Sequence, residues 1–298
     1  MLARMLRFTI AVQMIFGAAL GSWLSADRTS QAGTVLCALL LALLLPLASN
    51  VLTIAYSAIA SRAKVEPAAL WWKSLLGECW VSIYFFLLRQ PWTVAPPSTQ
   101  ASTHPQPRLP VLLVHGFVCN HRVWDAMVPA LRAQGYTVLA INLEPLFTSI
   151  DNYAPQLEQA VQVLRQQTGQ DQVALLGHSM GGLAIRAWMR RYGTAHAARA
   201  ITLGTPHAGT QVKAPVAPPN GLQMAWNSTW LQELAAAETD ATRSLFRIAL
   251  TAQDNIVYPQ RAQTLQGVTP TVFEGMGHLQ LCTSDAVRQW VCQELALR

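Results

Sequence analysis

Charged side chains are scarce in this sequence: Asp, Glu, Lys and Arg make up 12% of its 298 residues, about half of the roughly 25% usual for soluble domains. Apolar residues reach 52%, an imbalance that points to lipid contact. The formal charge is +6, but Lys and Arg are scattered. The basic, aromatic-interleaved patch that tracks phosphates is lacking, so nucleic acid is not an expected partner. The five cysteines (37, 79, 119, 282 and 292) lack the paired short spacings that hold zinc, so no metal site through sulfur is expected. An odd number cannot all pair within one chain, and bridging of Cys282 to Cys292 is left open with the redox compartment.

What the sequence has instead is long apolar runs. Residues 8–24 and 34–60 are each near or above the ~17 to 25 residues that a spanning helix needs, and residues 1–66 read as a transmembrane helical hairpin. Arg4 and Arg7 precede the first run, and Arg62 and Lys64 follow the second. By the positive-inside tendency both outer ends face the cytoplasm. The rival reading of the first run is a signal peptide, with Ser22, Ser25 and Ala26 as a weak cleavage site. A second apolar run follows at once, so an anchor would survive cleavage.

Residues 67–90 are rich in Trp and Phe but interrupted by Lys73 and Glu78, which are costly at mid-bilayer. They read as an interfacial amphipathic helix. Were this segment to span instead, the remainder of the chain would lie on the opposite, periplasmic side. Residues 91–110 carry Pro91, Pro96, Pro97, Pro105, Pro107 and Pro110 and read as a linker.

From residue 111 to 298 the pattern alternates. Short apolar runs at 111–114, 138–141, 173–176, 200–203, 248–250 and 271–273 read as buried strands, and amphipathic stretches at 123–134, 153–167 and 183–192 separate them. The expected fold is α/β, a mostly parallel sheet with helices on both faces and functional residues at the carboxyl ends of its strands.

Gly177-His178-Ser179-Met180-Gly181 directly follows one expected strand and precedes an expected helix. In that setting the glycines permit a turn too tight for side chains, and Ser179 is held exposed as a nucleophile. Asp254 follows the strand at 248–250 and His278 follows the last strand, which is the order Ser, then acid, then His expected of a triad on such a sheet. His278 is the candidate base and Asp254 its orienting acid, while Glu238 and Asp240 read as solvated. The backbone N–H groups of Phe117 and Met180 are the candidate oxyanion donors, and His115 reads as a shaper of that loop. His178 is expected to point away from the site, and His104, His121 and His196 read as structural or solvated.

These motifs, with Leu203-Gly204-Thr205-Pro206-His207-Ala208-Gly209-Thr210 and Gly275-Met276-Gly277-His278, resemble the α/β-hydrolase superfamily, and within it the bacterial triacylglycerol lipases and esterases. The resemblance covers residues 111 to 298 and leaves the first ~110 outside it. It implies an α/β-hydrolase fold and a membrane-anchored serine hydrolase cleaving acyl esters through an acyl-enzyme, with no cofactor and no required metal. His207 then lines the approach to the site, and residues 211–245 form a cap. In that cap Met224, Trp226 and Trp230 either meet the acyl chain together with His115 and His207, or pack a helix onto the core. The expected partners are a lipid or other acyl-ester substrate and the bilayer, and the expected location is the bacterial inner membrane, with the hydrolase domain cytoplasmic and the periplasm as the alternative. Oligomeric state is not legible. Other outcomes of the same residues are an acyltransferase, phospholipase or thioesterase, or a non-catalytic binding module on the same fold.

Overall fold

The protein is described from a computed structural model covering residues 1–92, 95–102, 108–212 and 217–297. His104, Pro105 and Pro107, named above, and residues 213–216 of the expected cap lie outside the described residues. Two long helices open the chain, α1 (Leu2–Ser25) and α2 (Gln31–Ser61). They pack as a hairpin with their backbones nearly in contact. A Cβ on Gly17 would fall 2.3 Å from the Leu41 carbonyl oxygen, and one on Gly21 would fall 2.5 Å from that of Cys37. Glycines four residues apart on one face are what lets two apolar helices approach this closely.

The sheet is formed by β1 (Val111–Val114), β2 (Val138–Ile141), β3 (Val173–His178), β4 (Ala197–Leu203), β5 (Phe246–Thr251) and β6 (Thr271–Phe273). Its order is β2-β1-β3-β4-β5-β6 with every neighbouring pair parallel. Both faces are covered, which is why the strands read as continuous apolar runs. Leu112 and Val114 of β1 join one core cluster with α5 (Ala154–Thr168) and α6 (Met180–Tyr192). Val111 and Leu113 join the other with α4 (Met127–Ala133) and α10 (Asp285–Ala296). The helix expected over 123–134 is split, because His121–Trp124 forms a separate 3₁₀ turn before α4.

Helix α3 (Ala68–Ile83) runs on through a π-helical turn, Tyr84–Arg89. It differs from a purely peripheral interfacial helix. Val81 and Phe85 belong to the same core cluster as α4 and α10, and Glu78 is 1% exposed. Its other side leaves Trp72, Leu76 and Trp80, spaced four residues apart, exposed. The described part of 91–110 is likewise fastened down: Gln100 pairs antiparallel with Val138, closing the β2 edge of the sheet, and Arg108 N–H donates to the Gly135 carbonyl. Unpaired edge groups next to an extended segment account for that docking.

After β4 come the short helices α7 (Pro219–Gln223), α8 (Thr229–Ala236) and α9 (Asp240–Ser244). Glu238, between the last two, is not solvated. It pairs through both oxygens with Arg186 of α6, at 2.6 and 3.1 Å, with the two side chains 5% and 0% exposed. Removing one partner of such a pair strands a buried charge. Glu238→Ala is therefore expected to destabilise the fold by about 3–5 kcal/mol, read as a lowered denaturation midpoint of the detergent-solubilised chain.

Candidate active site

Ser179 is the residue between β3 and α6, held at φ 54°, ψ −128°. Non-glycine residues rarely occupy this conformation, and strain of this kind persists only where the surroundings enforce it. The enforcement is visible here. Ser179 N–H donates to the Leu203 carbonyl, and its own carbonyl accepts from the Thr205 hydroxyl at 2.9 Å. A Cβ on Gly181 would fall 2.1 Å from the Val114 carbonyl oxygen, and one on Gly177 would fall 2.6 Å from Gly182 N. Met180 opens α6, so its N–H is among the first-turn donors that have no partner within the helix.

The loop after β1 is appressed to this turn. A Cβ on Gly116 would sit 2.7 Å from that of Ser179, so only glycine lets Phe117 and its N–H come alongside. Val118 in the same loop also has positive φ, 51°.

The Asp254 and His278 loops follow β5 and β6. Asp254 is 2% exposed; its Oδ1 accepts from Ile256 N–H and Val257 N–H at 2.9 and 2.7 Å, and its Oδ2 meets His278 Nδ1 at 2.8 Å. This orients the imidazole and leaves Nε2 free to face the cavity. Burial pushes the His278 pKa down, but the Asp254 carboxylate and the nearby Glu78 outweigh it, and the net direction is upward. The His278 main chain is held by Asn255 Oδ1 on its N–H at 3.1 Å and by His178 Nε2 on its carbonyl at 3.1 Å. His178 therefore faces the site rather than pointing away from it. Its ring lies 4.6 Å from that of His278, and burial, then the neighbouring His278, lower its pKa well below the usual value, so it acts as a neutral donor.

A cavity of about 500 Å³ contains Ser179, His278, Gly116 and Phe117. Five other residues expected to bind substrate lie away from it. His115 is buried, its Nε2 accepting from Leu143 N–H at 2.9 Å, and burial pushes its pKa down to about 4. It ties the β1 loop to the β2 loop. His207 is buried against Thr202, Nε2 to hydroxyl at 3.0 Å, beside the Arg186–Glu238 pair. Met224 packs into the α5–α6 core cluster, and the Trp226 N–H donates to the Thr210 carbonyl. Trp230 donates from Nε1 to Asp151 at 2.8 Å with Arg190 over its ring. Packing of the 217–245 helices onto the core takes up Met224 and Trp230, so the core-packing alternative holds for those two, while Trp226 is half-buried and lies outside the cavity.

One further residue stands out, and only the fold makes it visible. Glu78 of α3 accepts from Leu279 N–H at 2.8 Å and Gln280 N–H at 3.2 Å, the two residues after His278. Burial raises its carboxyl to about 7, against the lowering pull of those N–H groups. The sequence signal was a carboxylate in an otherwise apolar, aromatic stretch. The cysteines are all free, and among the described residues no group of three or more His, Cys, Asp or Glu is placed to hold a metal.

This sheet order, with a strained serine at the β3–α6 turn and His278 on Asp254, defines an α/β-hydrolase fold. Residues 110–247 match the family model described as alpha/beta hydrolase fold. Two triacylglycerol lipases, from Burkholderia plantarii and Pseudarthrobacter phenanthrenivorans, are each 32% identical to the chain, over 39% and 37% of its length. These matches cover 35% and 37% of the two lipases, so the chain spans about a third of the length of the curated relatives it matches. Among solved structures, the Bacillus licheniformis lipase BlEst2 in its propeptide form superposes with a TM-score of 0.59 at 16% identity, covering 69% of this chain and 55% of that one. Aspergillus fumigatus lipase B gives 0.57 at 14%, covering 67% and 56%. At such identities the likeness is one of fold.

In its ionised form Glu78 stabilises the imidazolium form of His278, so removing it lowers the His278 pKa wherever the carboxyl is charged. With His278 as the candidate base, which works only when neutral, hydrolysis is expected to rise with pH through that pKa. Glu78→Gln is expected to move the acid limb of the pH–rate profile to lower pH, whereas a merely structural defect would lower the plateau and leave the limb in place.

Proposed function

We propose that the protein is a membrane-anchored carboxylic ester hydrolase acting on acyl lipids through Ser179, His278 and Asp254. The observation that carries this reading is a serine held at φ 54° on a helix amino terminus, sharing one cavity with a histidine whose far nitrogen is bonded to a buried carboxylate. The lipase names of the two relatives support the same chemistry.

Ser179 Oγ attacks the ester carbonyl as His278 Nε2 takes its proton. The tetrahedral oxyanion is met by the N–H groups of Phe117 and Met180, and His278 then protonates the departing alcohol. Water, deprotonated by His278, attacks the acyl-enzyme and releases the carboxylic acid, with the proton returning to Ser179. Asp254 holds the tautomer that keeps Nε2 unprotonated before each attack.

Two features support anchoring: α1 and α2 are long and apolar enough to cross a bilayer, and they keep large apolar residues such as Phe8, Ile15, Leu39, Leu43 and Leu52 exposed. The exposed Trp72, Leu76 and Trp80 of α3 suit the interface beside them. The basic residues at both outer ends support a cytoplasmic face for the α/β domain.

Ser179→Ala is expected to abolish ester hydrolysis and fluorophosphonate labelling. Asp254→Asn should lower kcat by roughly 10⁴-fold with the fold retained; wild-type turnover in that variant would remove Asp254 from the mechanism. With a membrane-impermeant probe, labelling only after lysis of spheroplasts is the outcome that fits the cytoplasmic face. Labelling of intact spheroplasts would reverse the topology.

A further inference from the structure

We infer that the acyl chain binds against the inner face of the α1–α2 hairpin, and that the substrate is an acyl ester resident in the bilayer, reaching Ser179 sideways from within one leaflet. This rests on Ser179 being the nucleophile.

The cavity around Ser179 and His278 is walled on one side by α1 and α2. Leu6, Ile10 and Gln13 contribute from α1, and Pro46, Asn50 and Ile54 from α2. Intervals of three and four residues place each set on one helix face, and each set runs about two turns, roughly 11 Å, along its helix. Gln13 Nε2 donates to Ser49 Oγ at 2.9 Å, joining the two helices where they form the wall. The cavity surface is predominantly apolar, and its volume of about 500 Å³ falls in the range of pockets that take a small-molecule ligand. The helices of residues 217–245 supply none of its lining among the described residues.

Helix length then sets the depth. With 24 residues, α1 is about 36 Å long, little more than the ~30 Å of a hydrocarbon core. Crossing the membrane therefore takes about 20 of those residues, counted back from Ser25, which places Ile10 and Gln13 within the span and Leu6, beside Arg7, at its cytoplasmic end. At those same levels the outer faces are lipid-like: Phe8, Val12 and Ile15 on α1, and Val51 and Leu52 on α2, are exposed. The cavity thus stands at the depth of the acyl chains, one helix thickness from them. A chain leaving the leaflet for this wall exchanges one apolar setting for another, while its ester meets the polar groups of the β1 loop and the elbow.

The test uses the full chain reconstituted in lipid bilayers and a dodecyl fluorophosphonate carrying a diazirine at the chain end. The Ser179 adduct is verified by mass before irradiation, and the crosslinked peptides are then mapped. Crosslinks within residues 6–13 and 46–54 are expected. Crosslinks within 217–245 would overturn the inference while leaving the nucleophile intact, whereas absence of any Ser179 adduct would remove the hydrolase reading and this inference with it. A kinetic arm reads the ratio of kcat/KM for a bilayer-embedded dodecanoyl ester to that for a butanoyl ester. Each methylene buried in an apolar pocket is worth roughly fourfold, so Ile10→Trp, which fills the cavity, should lower the ratio at least tenfold. The control Leu44→Trp, on the exposed outer face of α2, should leave it at the wild-type value. Equal ratios in the two variants would overturn the proposal.

Discussion

The Glu78 carboxyl of α3 lies buried against the turn after His278, with its two oxygens on the N–H groups of Leu279 and Gln280. Those N–H groups open the 3₁₀ turn after His278 and have no partner within it. A buried donor left unpaired costs about 1–3 kcal/mol, so the His278 loop takes its shape from a side chain that arrives some 200 positions earlier in sequence. The contact is also tight, since a Cβ on Gly277 would meet Glu78 Oε2 at 2.5 Å. Position and electrostatics are coupled here. The group that satisfies the loop backbone also favours the imidazolium of His278 when it is ionised.

The acid loop depends on the amino-terminal helices in the same way. Asn255, which holds the His278 N–H, donates to Ser57 of α2 at 3.0 Å, and Gln260, which caps the Asp254 carbonyl, also donates to the Ser61 carbonyl at 2.9 Å. Ser74 of α3 donates to the Gln253 carbonyl. Helices α2 and α3 therefore brace both loops that the strand ends present, and α2 of the hairpin is an integral part of the site. This arrangement explains where polar residues occur in the hairpin: Gln13, Ser49, Asn50 and Ser57 face the partner helix, the cavity or the α/β domain, where polar atoms cost less than against lipid.

The strands were legible because burial on both faces writes itself as short unbroken apolar runs, and Ser179 was legible because a strand-to-helix turn this tight demands glycine at fixed positions. The order of Asp254 and His278 along the chain followed from strands that end at one edge of a parallel sheet. His178 was misjudged because the direction of a side chain at the last strand position depends on what lies opposite, here the His278 loop from β6. Met224 and Trp230 carried an apolar pattern that serves a core helix and a substrate wall equally well, and only their packing against the core cluster of α5 and α6 separates the two. Glu78 and Lys73 were visible as interruptions in an aromatic segment, but an interruption does not reveal its partner.

What the sequence by itself determined, then, was local: which runs are buried, where the chain must turn sharply, and which stretches of the first 61 residues form long apolar helices. Each is a property of neighbouring residues and of one periodicity. Only the tertiary structure decided which elements share the cavity with Ser179, because that depends on contacts between segments far apart in sequence. The β1 loop, the His278 loop and the hairpin meet there since each has buried polar or apolar surface that the others complete, and no spacing within any one of them records the meeting.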